Sequence, residues 1–334
     1  MTVAGPLVSV VIPAYQAEGW VRVALESVAG QLPRRGELEV IVVDDGSEDG
    51  TAETARRAID ELGLDGTVVR LPRNEGVSAA RNTGWRAARG PWVQFLDADD
   101  VLAPAKLTTQ LAVAADTDAT CAVVYSPWQS LDQVDGTWAP RGDVVRSAIE
   151  DPIRDILGDV AFGYVGPCLV RRAAVAAVEG FDATKSLGED LDLMLRLAVA
   201  GWGFRKADSA VPLFFYRSTP NSLWRRAAAS DTAALAGRMR TVADAEGYLR
   251  RATGRRPARR TRLALAWHYV ATYQSARLLD PRLAREARSR AAALHLHGAP
   301  ANAPRSARLL APLVGLGAAL GLHERLRTLV PPRA

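Results

Sequence analysis

The chain has 334 residues, 48% of them hydrophobic and 24% charged, and a net charge of +5, an ordinary composition for a soluble globular protein. That length suits one large α/β domain with an appended piece, or two modest domains. The charge is uneven: residues 1–220 hold 21 Lys and Arg against 31 Asp and Glu, whereas 221–334 hold 21 Arg, no Lys and 6 acids, a split that marks two regions. Cys121 and Cys168 sit in apolar runs and read as buried small hydrophobes, not as a disulfide or a ligand pair. Val8–Ile12 is too short for a secretory leader and follows no basic flank. Leu309–Leu322 falls short of the ~20 residues of a spanning helix and contains Pro312 and three glycines. The expected location is the cytoplasm.

Strand and helix signals alternate through the first hundred residues. Leu7–Ile12 is a continuous β-branched run and reads as a buried strand. Trp20, Val21, Ala24, Leu25 and Val28 then fall on one helical face. Glu39–Val43 is a second strand, followed by a helix with Ala55, Ile59 and Leu62 on one side. Thr67–Leu71 is a third strand, and Val77–Ala88 a third helix with Ser78 as its expected cap. Trp92–Leu96 is the fourth strand. The pattern predicts right-handed βαβ units, a mainly parallel central sheet and helices on both faces. Residues 126–160 show weak periodicity and read as a variable surface excursion. Cys168–Val170 reads as a strand entering a helix, Gly188-Glu189-Asp190 opens a helix with Leu191, Met194, Leu195 and Ala198 on its apolar face, and Val211–Tyr216 is a late strand. Beyond residue 223 the chain is Arg/Ala-rich and helical.

Ligands of such sheets bind beyond the carboxyl ends of the strands. Here those positions hold Pro13-Ala14-Tyr15, Asp44-Asp45-Gly46-Ser47, Arg73-Asn74-Glu75-Gly76 and Asp97-Ala98-Asp99-Asp100. Acids beside a diphosphate require a hard cation between them. Asp97 and Asp99 can offer carboxylate oxygens to Mg²⁺ or Mn²⁺, which would offset charge on a leaving nucleoside diphosphate. Asp44 or Asp45 can accept a hydrogen bond from a base ring N–H, and the other then closes its own Asp-Gly-Ser turn. Arg81 lies on the inner face of its helix and needs an anionic partner, either the donor diphosphate or a rim aspartate. Displacement at an anomeric carbon needs a base for the acceptor proton, and Asp190 is the candidate, with Glu189 holding it or touching donor hydroxyls. His268, His295, His297 and His323 all lie in the basic region and show no metal-ligand spacing.

These segments, in order Val8–Tyr15, Val42–Ser47 with Asp49-Gly50-Thr51, Asn74–Asn82, Phe95–Asp100 and Gly188–Asp190, resemble the successive signatures of family 2 glycosyltransferases of the GT-A fold over residues 6–218. The resemblance implies an inverting, metal-dependent transfer from a nucleoside-diphospho-sugar to a glycan or lipid-linked acceptor, in glycan or cell-envelope polysaccharide synthesis. It implies Pro13, Tyr15 and Glu18 in the nucleotide site, Asp45 on the base with Asp44 nearby, and Arg81 facing the diphosphate region. It further implies Asp97 near the ribose or donor sugar, Asp99 on the metal, Asp190 as base, and Glu189 and Arg217 on the acceptor or donor-sugar side. Many members carry a His after the late Tyr-Arg, but Tyr216-Arg217-Ser218-Thr219-Pro220-Asn221-Ser222 has none.

The expected layout is a GT-A catalytic domain over 1–222, with a nucleotide-sugar half at 6–100 and an acceptor half at 101–222, then a basic helical region over 223–334. A dinucleotide-binding oxidoreductase or a nucleotidyltransferase would show a Gly-rich turn after the first strand, which Pro13–Ala17 lacks. A catalytically weak scaffold acting through the basic region is the remaining rival. That region reads as a packing subdomain or as a surface for an anionic membrane, which attracts each nearby Arg by about 1 kcal/mol. It lacks a nucleic-acid module, so no nucleic acid is expected.

Overall fold

The computed structural model of the chain describes residues 5–31, 37–158, 164–185, 187–219, 232–301, 303–316, 318–320 and 322. Contacts divide the chain into two units, Met1–Pro152 with Ala161–Ser222, and Ile153–Val160 with Leu223–Ala334.

The first unit is built on β1 (Val8–Ala14), β2 (Leu38–Asp44), β3 (Gly66–Arg70) and β4 (Trp92–Phe95), joined by α1 (Val21–Ala29), α2 (Thr51–Leu62) and α3 (Val77–Ala87). Each strand boundary lies within two residues of its sequence expectation. β1 pairs in parallel with β2 on one side and β4 on the other, so the strand order reverses around it. All seven residues of β1 are buried, which requires cover on both faces. Its side chains alternate accordingly. Val8, Val10 and Ile12 join a core with Val21, Leu25 and Val28 of α1 and Ala55, Ala58 and Ile59 of α2. Val11 faces the opposite way, onto α3, where a Cβ on Gly84 would lie 2.2 Å from its Cγ1.

Beyond β5 (Val101–Leu102) and α4 (Lys106–Ala115), β6 (Cys121–Tyr125), β9 (Cys168–Arg171) and β10 (Gly203–Lys206) complete a seven-stranded sheet of order β10-β6-β9-β4-β1-β2-β3. β9 runs antiparallel to both neighbours, and the other pairings are parallel. α6 (Arg172–Ala177) and α7 (Glu189–Val199) follow β9. Both cysteines are free and buried.

Two expectations are corrected here. Residues 126–145 are no irregular excursion: β7 (Trp128–Val134) and β8 (Thr137–Val145) form an antiparallel hairpin. With β5 and β11 (Phe214–Arg217) it makes a second sheet of order β5-β11-β7-β8. Its polar, exposed outer strand hid the period from the sequence. Ser78 does not cap α3. The N-cap is Gly76 at φ +93°, and Ser78 Oγ donates to the Lys185 carbonyl at 3.3 Å.

The second unit is helical. It holds most of α5 (Pro152–Gly158), with α8 (Thr232–Thr253), α9 (Arg259–Ala276), α10 (Pro281–Ala293) and α11 (Arg305–Val314). His268 is buried, its Nε2 donating to the Leu157 carbonyl at 2.7 Å. His295 and His297 are exposed, and His323 lies outside the described residues. Among the described residues no helix is long and apolar enough to cross a membrane.

Candidate active site

The loops after β1, β2 and β3 interlock through acids that hold backbone. Asp44 is fully buried. Its Oδ1 accepts from the Ser47 N–H at 3.0 Å, and Arg70 Nε approaches its Oδ2 at 3.3 Å. Of the two adjacent acids, Asp44 is therefore the one that closes its own turn. Asp45 accepts from the N–H groups of Glu75 and Gly76 at 2.7 and 2.8 Å, tying the second loop to the third. Between these loops Gly46 has φ +71°, and a Cβ there would sit 2.5 Å from the Arg73 carbonyl carbon, so only glycine fits. Pro13 is buried inside β1 opposite Val43. Tyr15 and Glu18 are exposed, and Glu18 Oε2 accepts from the Gly50 N–H at 3.2 Å.

Arg81 is the centre of the site. It is 2% exposed, yet three carboxylates reach it: Asp97 at 2.7 Å, Glu189 at 3.0 Å and Asp190 at 2.7 Å. Of the two kinds of partner expected for Arg81, rim acids are the ones present, while its Nε is buried without a partner. The Phe181 ring covers the guanidinium at 5.2 Å and meets Phe95 edge-on. Asn82 of α3 fixes Phe181 by bonds to both its N–H and its carbonyl. The three acids raise the Arg81 pKa further against the opposing effect of burial. One cation does not neutralise three anions. Burial, relieved in part by Arg81, holds the Asp190 and Glu189 carboxyls above their ordinary range. The second oxygen of Asp190 accepts from the Val165 N–H at 3.0 Å.

The turn Asp97–Asp100 is held from β11. Arg217 Nε donates to the Asp99 carbonyl, and the Arg217 N–H donates to Asp100 Oδ1 at 2.8 Å. Thr219 Oγ1 donates to Asp99 Oδ2 at 2.8 Å. The Arg217 guanidinium lies over the rings of Trp20 and Trp138, at 5.4 and 5.5 Å. Arg217, expected on the acceptor or donor-sugar side, braces the aspartate turn in this structure, with its Nη2 buried and unpartnered. Burial first, and then the charge of Asp97, push the Asp99 carboxyl up to about 6. Burial and its two neighbouring acids raise Asp100 as well.

This accumulation of negative oxygen donors fits a hard divalent cation. Among the described residues no set of three or more His, Cys, Asp and Glu forms a protein-only cage. Asp99, with Asp97 beside it, would hold the ion, leaving most of the coordination shell to phosphate oxygens and water. Sequence reasoning missed Val165, Thr219, Trp138 and Phe181. None carries a motif, although Thr219 stands two residues after Arg217, where the family's His is absent. Pro220, Asn221 and Ser222 lie outside the described residues.

Replacing Arg81 by Met strands three acids, a loss of about 3–5 kcal/mol at neutral pH. The gap to wild type narrows as pH falls and the acids protonate, because stabilisation by the cation needs them ionised. Urea denaturation at several pH values measures it, and a pH-independent gap contradicts the charge argument.

The model of glycosyl transferase family 2 matches residues 9–178. The succinoglycan biosynthesis protein ExoO of Rhizobium meliloti is 30% identical over 203 residues, 59% of this chain and 57% of its own length. The glycosyltransferase AglE of Haloferax volcanii is 39% identical over 102 residues, 30% of this chain and 32% of its own. The chain thus spans under two thirds of the length of these curated relatives. Among solved structures, S. aureus TarS 1–349 superposes with a TM-score of 0.58 at 17% identity, covering 98% of this chain and 93% of that one. Mannosyltransferase PcManGT from Pyrobaculum calidifontis, in complex with GDP-Man and Mn²⁺, superposes with a TM-score of 0.54 at 22% identity, covering 97% and 83%. These likenesses give the fold as GT-A. With the family model matching just over half its length, the chain belongs to the family 2 glycosyltransferases.

Proposed function

We propose that the chain transfers a sugar from a nucleoside-diphospho-sugar to an acceptor hydroxyl, with inversion, in polysaccharide synthesis. The observation that carries this reading is the Arg81 bridge, which sets the Asp97–Asp99 turn and Asp190 on two sides of one buried cation. TarS structures in complex with UDP and UDP-GlcNAc, and PcManGT with GDP-Man, support the donor class. ExoO, a succinoglycan biosynthesis protein, supports the polysaccharide setting.

Asp99 would hold Mg²⁺ or Mn²⁺, which supplies charge to the diphosphate as the anomeric C–O bond breaks and its electron pair leaves with phosphate. Asp97 would border the donor, oriented by Arg81. Asp190 takes the proton of the acceptor hydroxyl while the new C–O bond forms on the opposite face, so one displacement inverts the centre. A carboxyl raised by burial suits this role, because a base works best with a pKa near the operating pH. Tyr15, Glu18 and Asp45 border the nucleotide at the rim.

The second unit would bring the enzyme to an anionic membrane surface carrying a lipid-linked acceptor. Leu278 and Leu279 are exposed beside the exposed Arg282 and Arg285 of α10, the mixed character such a surface attracts. Co-sedimentation with anionic but not neutral vesicles, reversed by high salt, is the expected result. Equal recovery in the supernatant with both contradicts it.

Asp99→Asn should stay folded, lose at least ~100-fold of turnover, and lose the Mn²⁺-dependent rise in melting temperature with UDP. Wild-type rates would remove the metal assignment. Asp190→Asn should lower turnover on the order of 10²–10⁴-fold with nucleotide affinity unchanged. In the wild type the rate should fall as pH drops below the raised Asp190 pKa, since only the ionised form accepts a proton, and this limb should vanish in the variant. Affinity falling in step with rate would place Asp190 in the donor site.

A further inference from the structure

We propose that Lys106 is a positioning residue for Asp190, acting through Gln94, Gln110 and the backbone of Tyr164–Cys168; this rests on Asp190 being the base. Lys106 is fully buried on α4, with no ion pair to a carboxylate among the described residues, and burial brings its pKa down to about 7. Its Nζ donates to Gln94 Oε1 and, at 2.6 Å, to Gln110 Oε1. Both acceptors are themselves fully buried.

Fixing the two amide oxygens fixes the direction of the two amide nitrogens. Gln94 Nε2 then donates to the Gly166 carbonyl at 2.8 Å, and Gln110 Nε2 to the Pro167 carbonyl at 2.9 Å. Ser126 Oγ adds a bond to Pro167 at 3.1 Å, and the Cys168 N–H closes the turn onto the Val165 carbonyl at 2.9 Å. A Cβ on Gly166 would lie 2.3 Å from the Phe214 ring, so the segment has no room to shift that way. The Val165 N–H is thereby aimed at Asp190 Oδ2, 3.0 Å away.

Packing alone does not call for this arrangement. A buried Lys with two Gln is less stable than apolar residues of similar volume. The amine carries at least two N–H donors whether charged or neutral, so the network holds on both sides of neutral pH. Its consequence falls on Asp190, which is otherwise faced by Arg81, Glu189, Asp97, Tyr164 and the neutral Cys168 thiol. The Val165 N–H favours the ionised carboxylate and orients its free lone pairs.

Lys106→Met and the milder Gln110→Met test this. The readouts are UDP affinity with Mn²⁺, and hydrolysis of whichever of UDP-glucose, UDP-N-acetylglucosamine and GDP-mannose the wild type cleaves. Exchange of the Val165 amide is followed in parallel. The expected result is a kcat about tenfold lower, the worth of one hydrogen bond to a charged group. Donor KM and UDP affinity stay unchanged, the pH limb of kcat moves upward, and Val165 exchanges faster. Wild-type kcat and pH limb in a folded variant overturn the inference, as does a loss of kcat without faster Val165 exchange. If Lys106→Met does not fold, Gln110→Met decides on the same readouts. Asp190→Asn separates the two claims. Hydrolysis and pH limb persisting in it remove the base, whereas an inactive Asp190→Asn beside a wild-type-like Gln110→Met removes only the role of Lys106.

Discussion

A guanidinium taken out of water must be surrounded by charge, and the active-site half of this molecule is arranged around that requirement. Arg81 lies on the buried face of α3 with Ser78, Ala80, Asn82 and Gly84, so its charged partners must come from other elements. They come from two places far apart in the chain, the turn after β4 and the first turn of α7. The bridge Asp97–Arg81–Asp190 therefore fixes the distance between the turn after β4 and the first turn of α7. Phe181 and Asn82 keep the guanidinium from swinging away. One guanidinium only partly offsets the burial of Glu189 and Asp190, and burial first, with their like-charged neighbours after it, keeps these carboxyls less acidic than free ones.

The opposite side of the aspartate turn depends on the second sheet. Arg217 reaches the Asp99 carbonyl only because β11 lies between β5 and β7, and its planar head lies against the edge-to-face pair Trp20 and Trp138. Aromatic faces attract a desolvated guanidinium, so the hairpin contributes to the site without touching the acids. Thr219 adds a neutral hydroxyl to Asp99. A hydroxyl orients one carboxylate oxygen and leaves the other free, whereas an imidazole at that place would offer a ring nitrogen of its own.

The parallel half of the fold was legible because its strands are buried on both faces. Continuous β-branched runs such as Val8–Ile12 admit few other readings, and the acids after each strand end stand out against the Gly, Asn and Pro that a turn alone would use. The β7–β8 hairpin was illegible because β8 is exposed along most of its length and includes Pro140 and Gly142, which break the period-2 signal. The partition of labour between Asp44 and Asp45 was legible only as an alternative. Adjacent strand-end residues point to opposite sides, and which one faces the neighbouring loop depends on register with β3. Val165 acts through a backbone N–H, and no sequence pattern announces a peptide group.

The first turn of α7 shows how a structural acid can be told from a chemical one. Glu189, Asp190 and Asp192 all lie there, and each is favoured by the positive end of the helix. Asp192 has two cations of its own, Arg196 at 2.7 Å and Lys185 at 3.4 Å, and is fully buried. Its charge is matched where it stands, so it holds the helix to the preceding loop. Glu189 and Asp190 must divide one Arg81 with Asp97 as well. A carboxylate short of cations gains most from a proton or from a positive substrate group, and an acceptor hydroxyl shedding a proton offers the first. Counting cations per acid within a single turn therefore separates Asp190 from Asp192, although both are buried in the first turn of the same helix.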